Sequence, residues 1–456
     1  MKTKKILAGV LTLCVMGASV ISTVPVSAQD MGDAIVQTAE SPVNELAIGS
    51  KDEFAKFMTV PEYWSNNTKV KLTCNIDMEG AIFKPIEKFS GEFDGCGYTV
   101  SNFSVQDNPI KGKKFELAFI KTLNRTAKFQ NVTFDNYSVE DVGSSTIRPR
   151  SYNAAAFAIN NNGYILNVNL KNSRMVNVNK TYKRGKTAGF VVNNEQGKII
   201  LLNDVNTYGL LVEYGLIENS SIDMNFKNSN ISAGFVYKNN WAINNCSSNC
   251  SVKSTKGKNA YLGGFCSKNL AFGNISNCKS SGSIKADKAL STNRCGGFIG
   301  ANYGNINYCS STGNVKSVGT ILSNFEHKYF KKDVTSYIGG FCGQNLGNIS
   351  YCDAKGSAIA SAAIKKAKVG GFVGENAKGE ITRCMATGDS MASSYSRLAS
   401  MKIGGFVGVN KSKILNSKSS DYVYLSMRHS QRGKNARCGG FAGQNAKNGN
   451  IEGCYA

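Results

Sequence analysis

A phenylalanine recurs at 119, 157, 190, 235, 265, 298, 341, 372, 406 and 441, and from Phe265 onward each follows Gly-Gly. Four residues later comes Asn269, Asn302, Asn345, Asn376, Asn410 or Asn445. Gly and Ile follow, as in Gly304-x-Ile306 and Gly347-x-Ile349. Three residues past the Ile stands Cys246, Cys278, Cys309, Cys352, Cys384 or Cys454, with Ser417 once instead. The offsets inside a unit hold, whereas the spacing between phenylalanines runs from 30 to 45 residues. Units this short cannot own a core, so they bury their apolar side on one another. The segments between glycines are short, alternate in polarity and favour Val, Ile, Phe and Cys, the pattern of strands. The expected fold is all-β, a parallel β-helix (β-solenoid) of about ten coils. In-register strands place each ring about 4.8 Å over the next, giving a rod of about 50 Å.

In such a stack the recurring residues are scaffold. Phe265, Phe298, Phe341, Phe372, Phe406 and Phe441 are expected to form an internal aromatic column. Asn302 and Asn345 are expected to hydrogen-bond along a ladder and to tolerate left-handed turns. Cys278, Cys309, Cys352 and Cys384 are expected to stack inward. Cys295 and Cys438 stand before Gly-Gly, where other units have Leu262, Ile338, Val369 and Ile403. That interchange marks a small buried hydrophobe. Thirteen cysteines remain after residue 28. An odd number with gaps favours mostly free thiols, although neighbours in a stack could reach disulfide distance.

The start of the chain is of another kind. Lys2, Lys4 and Lys5, an apolar run over Ile6–Ile21, and Val26-Ser27-Ala28 form an export signal over 1–28. A flexible leader is expected over 29–45, and a cap helix with the first coil over 46–105. Within the latter, Ser50 and Glu53 make a capping box opening a helix at 51–58, and 84–105 reads as strand, turn at Asp94-Gly95, strand. The β-helix of repeats takes 106–456. No later segment has the roughly 20 apolar residues of a membrane span. The protein is therefore expected to be secreted, extracellular or associated with a cell surface.

The units GGFIGANYGNINYCSSTGNV (296–315) and GGFVGENAKGEITRCMATGD (370–389) resemble GLUG-motif repeats of bacterial secreted and surface proteins. KLTCNIDMEGAIFKPIEKFSGEFDGCGYTVSNFSV (71–105) resembles the segment that often precedes them. The resemblance runs over roughly 70–446 and is strongest from 262. It implies a right-handed parallel β-helix, as in surface adhesins and certain immunoglobulin A proteases, and no catalytic residues. The proteases of the family carry a separate zinc domain with His-Glu-x-x-His. Here His327 and His429 lie a hundred residues apart without that spacing. No LPxTG-like tail is present, and the last unit stops short of its closing Gly-x-Val, which raises self-association through the C-terminal coil.

Chemistry is thinly marked. Cys246 and Cys250 have a zinc-like spacing but no second pair, and neither a metal nor another cofactor is expected. Asp77, Glu79, Glu92 and Asp94 cluster in the first coils and carry the rival reading, a carbohydrate-active β-helix enzyme, lyase or hydrolase. A third reading is a structural stalk.

Charge is the stronger signal. The formal net charge is +23, or about +20 without the export signal. The inserts 253–261, 285–294, 316–337, 360–368, 390–402 and 424–437 hold 19 Lys or Arg and three acids, +16 of that total. A β-helix stacking them on one side would show a basic face of Lys253, Lys256, Lys258, Lys328, Lys331, Lys332, Lys365, Lys366, Lys368, Arg428, Arg432, Lys434 and Arg437. Tyr182, Tyr261, Phe325, Tyr329, Phe330, Tyr337 and Tyr395 are interleaved. Such a face attracts polyanions: anionic polysaccharide, teichoic acid, a host surface glycan, or nucleic acid, for which no motif is present. The expected role is non-enzymatic binding or adhesion.

Overall fold

The computed structural model describes residues 44–456 except 145, 180–184, 196–198, 205–206, 213–214, 228, 255–259, 290–291, 320–334, 363–365, 395–399 and 428–435. The expected export signal and most of the expected leader lie outside the described residues. The chain from 44 is a parallel β-helix. An eleven-stranded parallel sheet runs from Ile86–Phe89 to Ala442–Asn445, one strand per coil. Across a core from it lies a larger sheet of 23 strands, again paired coil to coil.

The repeated residues meet in register. Asn302 pairs with Asn269 on one side and Asn345 on the other. From Phe190 to Phe441 successive phenylalanine rings stack at 4.7–4.9 Å, almost parallel. This is the strand spacing expressed in side chains. Asparagine amides run beside them from Asn161 to Asn445, each Nδ2 donating to the next Oδ1 at 2.8–3.0 Å. Those of Asn161 to Asn410 are fully buried. The left-handed turns belong to a different column, the residue before the cysteine: Asn245, Asn277 and Asn416 have φ near +50° there. Ladder and turn roles, expected of one asparagine, are divided between two.

Cys246, Cys278, Cys309, Cys352 and Cys384 stack within the same core, and each thiol donates to a carbonyl two residues back. The backbone N–H of Cys278 donates to Cys309 Sγ and that of Cys309 to Cys352 Sγ. All thirteen described cysteines are free thiols. Burial pushes Cys250 and Cys295 up to about 12, so these sulfurs stay protonated and unreactive.

At the N-terminal end the helix Lys51–Thr59 opens on the expected box. Ser50 Oγ accepts from Glu53 N–H, and Glu53 accepts from Gly49 N–H at 2.8 Å. Its buried Phe54 packs on Phe83 and Phe103, and Phe57 on Phe89 and Phe93. The helix thus covers the core at that end. Coils begin before 84: Asn44–Ile48 pairs with Thr68–Leu72, and Ile76–Phe83 with Thr99–Asp107.

The inserts are more than loops. Their two flanks form two further six-stranded parallel sheets, Val252–Ser254 through Val423–Met427 and Tyr261–Gly263 through Arg437–Gly439. A second core lies between them, with Val252, Ile284, Val315 and Ala358 on one side and Leu262, Cys295, Ile338, Val369 and Ile403 on the other. The body therefore carries a two-sheet wing with its own apolar filling.

Candidate polyanion-binding crevice

Alternation along the wing strands sets where charge goes. In the sheet from Val252–Ser254, the residues between core positions are Lys253, Lys285, Lys316, Ile359, Met391 and Tyr424, paired in that order. In the sheet from Tyr261–Gly263 they are Tyr261, Arg294, Tyr337, Lys368, Lys402 and Arg437. The two sheets share one core, so these rows point in opposite directions. The four described residues of the single basic face expected from the inserts fall on two opposed faces. Of its thirteen residues, Lys368 and Arg437 stand in the second row, Lys366 two residues earlier on the Lys368 strand, and Lys253 on the opposite face. Lys256, Lys258, Lys328, Lys331, Lys332, Lys365, Arg428, Arg432 and Lys434 lie outside the described residues.

The second row faces the eleven-stranded sheet. Gly343 and Gly374 permit this: a Cβ on Gly374 would sit 2.6 Å from Ile338 N, and one on Gly343 2.7 Å from Cys295 N. Wing backbone therefore lies directly against body backbone. Beside the contact, a row from the body meets this wing row: Lys238, Lys268, Ala301, Gln344, Glu375 and Val409, each one residue before a ladder asparagine. The cations and tyrosines of the wing row and Lys238 and Lys268 of the body row mark a candidate crevice between wing and body.

Its two halves differ electrostatically. In one, Glu375 is almost fully buried and bonds Lys368 at 2.6 Å and Lys411 at 2.7 Å. Burial pushes its carboxyl up, but the two ammonium groups outweigh this and hold it below the ordinary glutamate value. In the other half, Lys268 Nζ lies 3.7 Å from the ring centre of Tyr261, and the Arg294 guanidinium 4.9 Å from Tyr261 and 5.2 Å from Tyr337. Arg294 Nε donates to the neutral Gln344 Oε1 at 2.5 Å. Burial, then repulsion from Arg294, Lys186 and Lys238, lowers the Lys268 ammonium. Among the described residues no carboxylate forms an ion pair with Lys268 or Arg294. Burial also raises the phenols of Tyr303 and Tyr337, keeping them neutral donors.

The first-coil carboxylates are engaged elsewhere. Asp77 accepts from Glu79 N–H and Asn102, and Asp94 from Cys96 N–H, Asn131 and Gln130. Glu79 pairs with Lys51 and Glu92 with Lys128. No group of three metal-ligating side chains occurs among the described residues, and Cys246 and Cys250 are both packed in the core. His327 and His429 lie outside the described residues.

Lys268, Gln344, Glu375 and Tyr303 were not singled out by sequence. The signal was present: the position before the ladder asparagine is the one offset where lysine, alanine, glutamine, glutamate and valine interchange.

Residues 258–285 and 335–359 match the GLUG motif, so the chain carries GLUG-motif repeats. No curated protein matches it. A crystal structure from Bacteroides ovatus, of a protein proposed to be an immunoglobulin A1 protease, aligns over 83% of this chain and 84% of its own at 14% identity, with a TM-score of 0.34. A likeness that weak carries nothing about activity.

Proposed function

We propose that this chain is a secreted or surface-associated, non-enzymatic binding protein that holds an anionic polymer along the crevice between wing and body. The carrying observation is the Lys268–Arg294 pair, half-enclosed, backed by Tyr261 and Tyr337, and without a carboxylate partner among the described residues. Two like charges held together cost free energy that a ligand anion removes. The tyrosines keep the cations extended and add ring surface for a sugar. A polymer suits the geometry because the row repeats at every coil, roughly 4.8 Å apart. Acidic polysaccharide, teichoic acid or a host surface glycan has the chemistry; no base-reading element supports nucleic acid.

Binding of immobilised dextran sulfate, with uncharged dextran as reference, tests this. Between about 0.05 and 0.5 M salt, affinity for the sulfated polymer is expected to fall about tenfold or more as charges are screened. Affinity independent of salt, or equal for both polymers, overturns the reading.

A further inference from the structure

Across the aromatic core from the crevice, the large sheet bends once per coil between the Ile and the Cys of the repeat. The bend residue is left-handed in six consecutive coils: Asn245, Asn277, Tyr308, Tyr351, Arg383 and Asn416, with φ between 49° and 54°. Asparagine adopts this conformation readily, whereas a tyrosine or arginine is strained by it. Burial does not offset the strain, since Tyr308 is 60% and Tyr351 41% exposed.

The three side chains form one assembly. The Tyr308 and Tyr351 rings stack at 4.9 Å and 14°. The Arg383 guanidinium lies 5.4 Å from the centre of Tyr351 and donates to its hydroxyl. Tyr351 is thus enclosed between a ring and a cation. Tyr308 keeps one face toward the coil of Asn277, with no ring or cation on it among the described residues. Amides and hydroxyls flank the rings on the same outward surface. Asn348 donates to Asn305 at 3.3 Å and Ser350 to Asn307 at 2.6 Å. The outward positions of these two coils are Asn305, Asn307, Ser310 and Asn348, Ser350, Asp353, with no lysine among them. Lys279 and Lys418 occupy the Ser310 column in other coils.

We propose that this corner is a second binding site, taking the pyranose ring of a neutral glycan. The apolar face of the sugar stacks on the open face of Tyr308, and its hydroxyls exchange hydrogen bonds with the amides beside it, which both donate and accept. The Tyr351–Arg383 stack holds Tyr308 upright, so little side-chain freedom is lost on binding. This site stands independently of the crevice: its ligand needs no charge and its residues lie on another sheet.

The test uses Tyr308→Asn/Tyr351→Asn, which installs the residue that neighbouring coils carry at the same bend. Immobilised dextran, mannan and galactan are the probes, at about 0.5 M salt to silence charge attraction. Wild type is expected to retain on at least one of them and the double variant to lose about tenfold or more. Dextran sulfate binding at low salt should not change, and the double variant should melt no lower than wild type. Tyr308→Phe keeps the ring and should keep the binding. The proposal is overturned if wild type holds none of the three polymers, if the double variant binds as well as wild type, or if Tyr308→Phe loses as much as the asparagine variant. A lower melting temperature of the double variant also overturns it, because the tyrosines would then serve the coil.

Discussion

Truncating Asn345 to alanine strikes the ladder in mid-array. Asn345 Nδ2 donates to Gly347 O at 2.8 Å and to Asn376 Oδ1 at 3.0 Å, while its Oδ1 accepts from Asn302 at 3.0 Å and from Gly347 N–H at 3.3 Å. All three asparagines are wholly buried, so water does not replace what is lost. Asn302 keeps Gly304 O at 3.1 Å, but the Gly347 amide and Asn376 Oδ1 are left without that partner. A buried orphan costs about 1–3 kcal/mol, so Asn345→Ala should destabilise by about 3–5 kcal/mol. Asn445 closes the ladder at an exposed rung, where hydration substitutes and Asn445→Ala should cost less than about 1 kcal/mol. Urea unfolding of both variants, with amide exchange at Gly304 and Gly347, reads the difference. Coupling between neighbouring coils should spread faster exchange outward from the substituted rung. Equal costs at 345 and 445 would refute the buried-ladder argument.

Three further outcomes follow from particular groups. Glu375 has its pKa held below the ordinary value in the folded protein, so its stabilisation is present above the unfolded-state pKa near 4.5 and is lost as pH falls through the folded value. Glu375→Gln should abolish that acid-limb loss in a thermal melt and, by freeing Lys368 and Lys411, tighten dextran sulfate binding a few-fold. Asp421 behaves oppositely: burial, with the nearby Asp389 carboxylate, raises it to about 7, and neither oxygen has a hydrogen-bond partner, the Ser420 N–H donating to Ala386 O at 3.0 Å. Folded Asp421 therefore retains its proton longer than the unfolded chain, and stability falls as pH rises from about 4 to 7. Asp421→Asn should raise the melting temperature at pH 8 and leave it nearly unchanged at pH 4. Finally, a thiol reagent should label Cys96 and Cys438 quickly, while the nine buried cysteines react only on unfolding.

The columns were legible because in-register stacking requires the same residue type at the same offset in every coil: Phe298 over Phe341, Asn302 over Asn345. The wing was not, for its strands are as short as three residues, begin at unequal distances and show too little alternation to declare themselves. Counting charge on the inserts found the cations but not their direction. Direction depends on which of the two wing sheets carries the cation: Arg294 and Lys368 stand beside the inward Cys295 and Val369 of one sheet, Lys253 beside the inward Val252 of the other. The aliphatic column before Gly-Gly was visible, and the row one residue ahead of it could have been read off. What sequence lacks is the neighbouring sheet: only packing shows that Gly343 and Gly374 let wing and body touch.

The most direct test of the account pits the two faces of the wing against each other. Lys268→Gln/Arg294→Gln removes two charges from the crevice; Lys253→Gln/Lys316→Gln removes two from the opposite face, leaving net charge equal in the two variants. Binding of dextran sulfate at about 0.05 M salt should weaken about tenfold or more in the first and less than about twofold in the second. Equal losses in both would mean that net charge alone attracts the polymer, and the crevice would have no special part in binding.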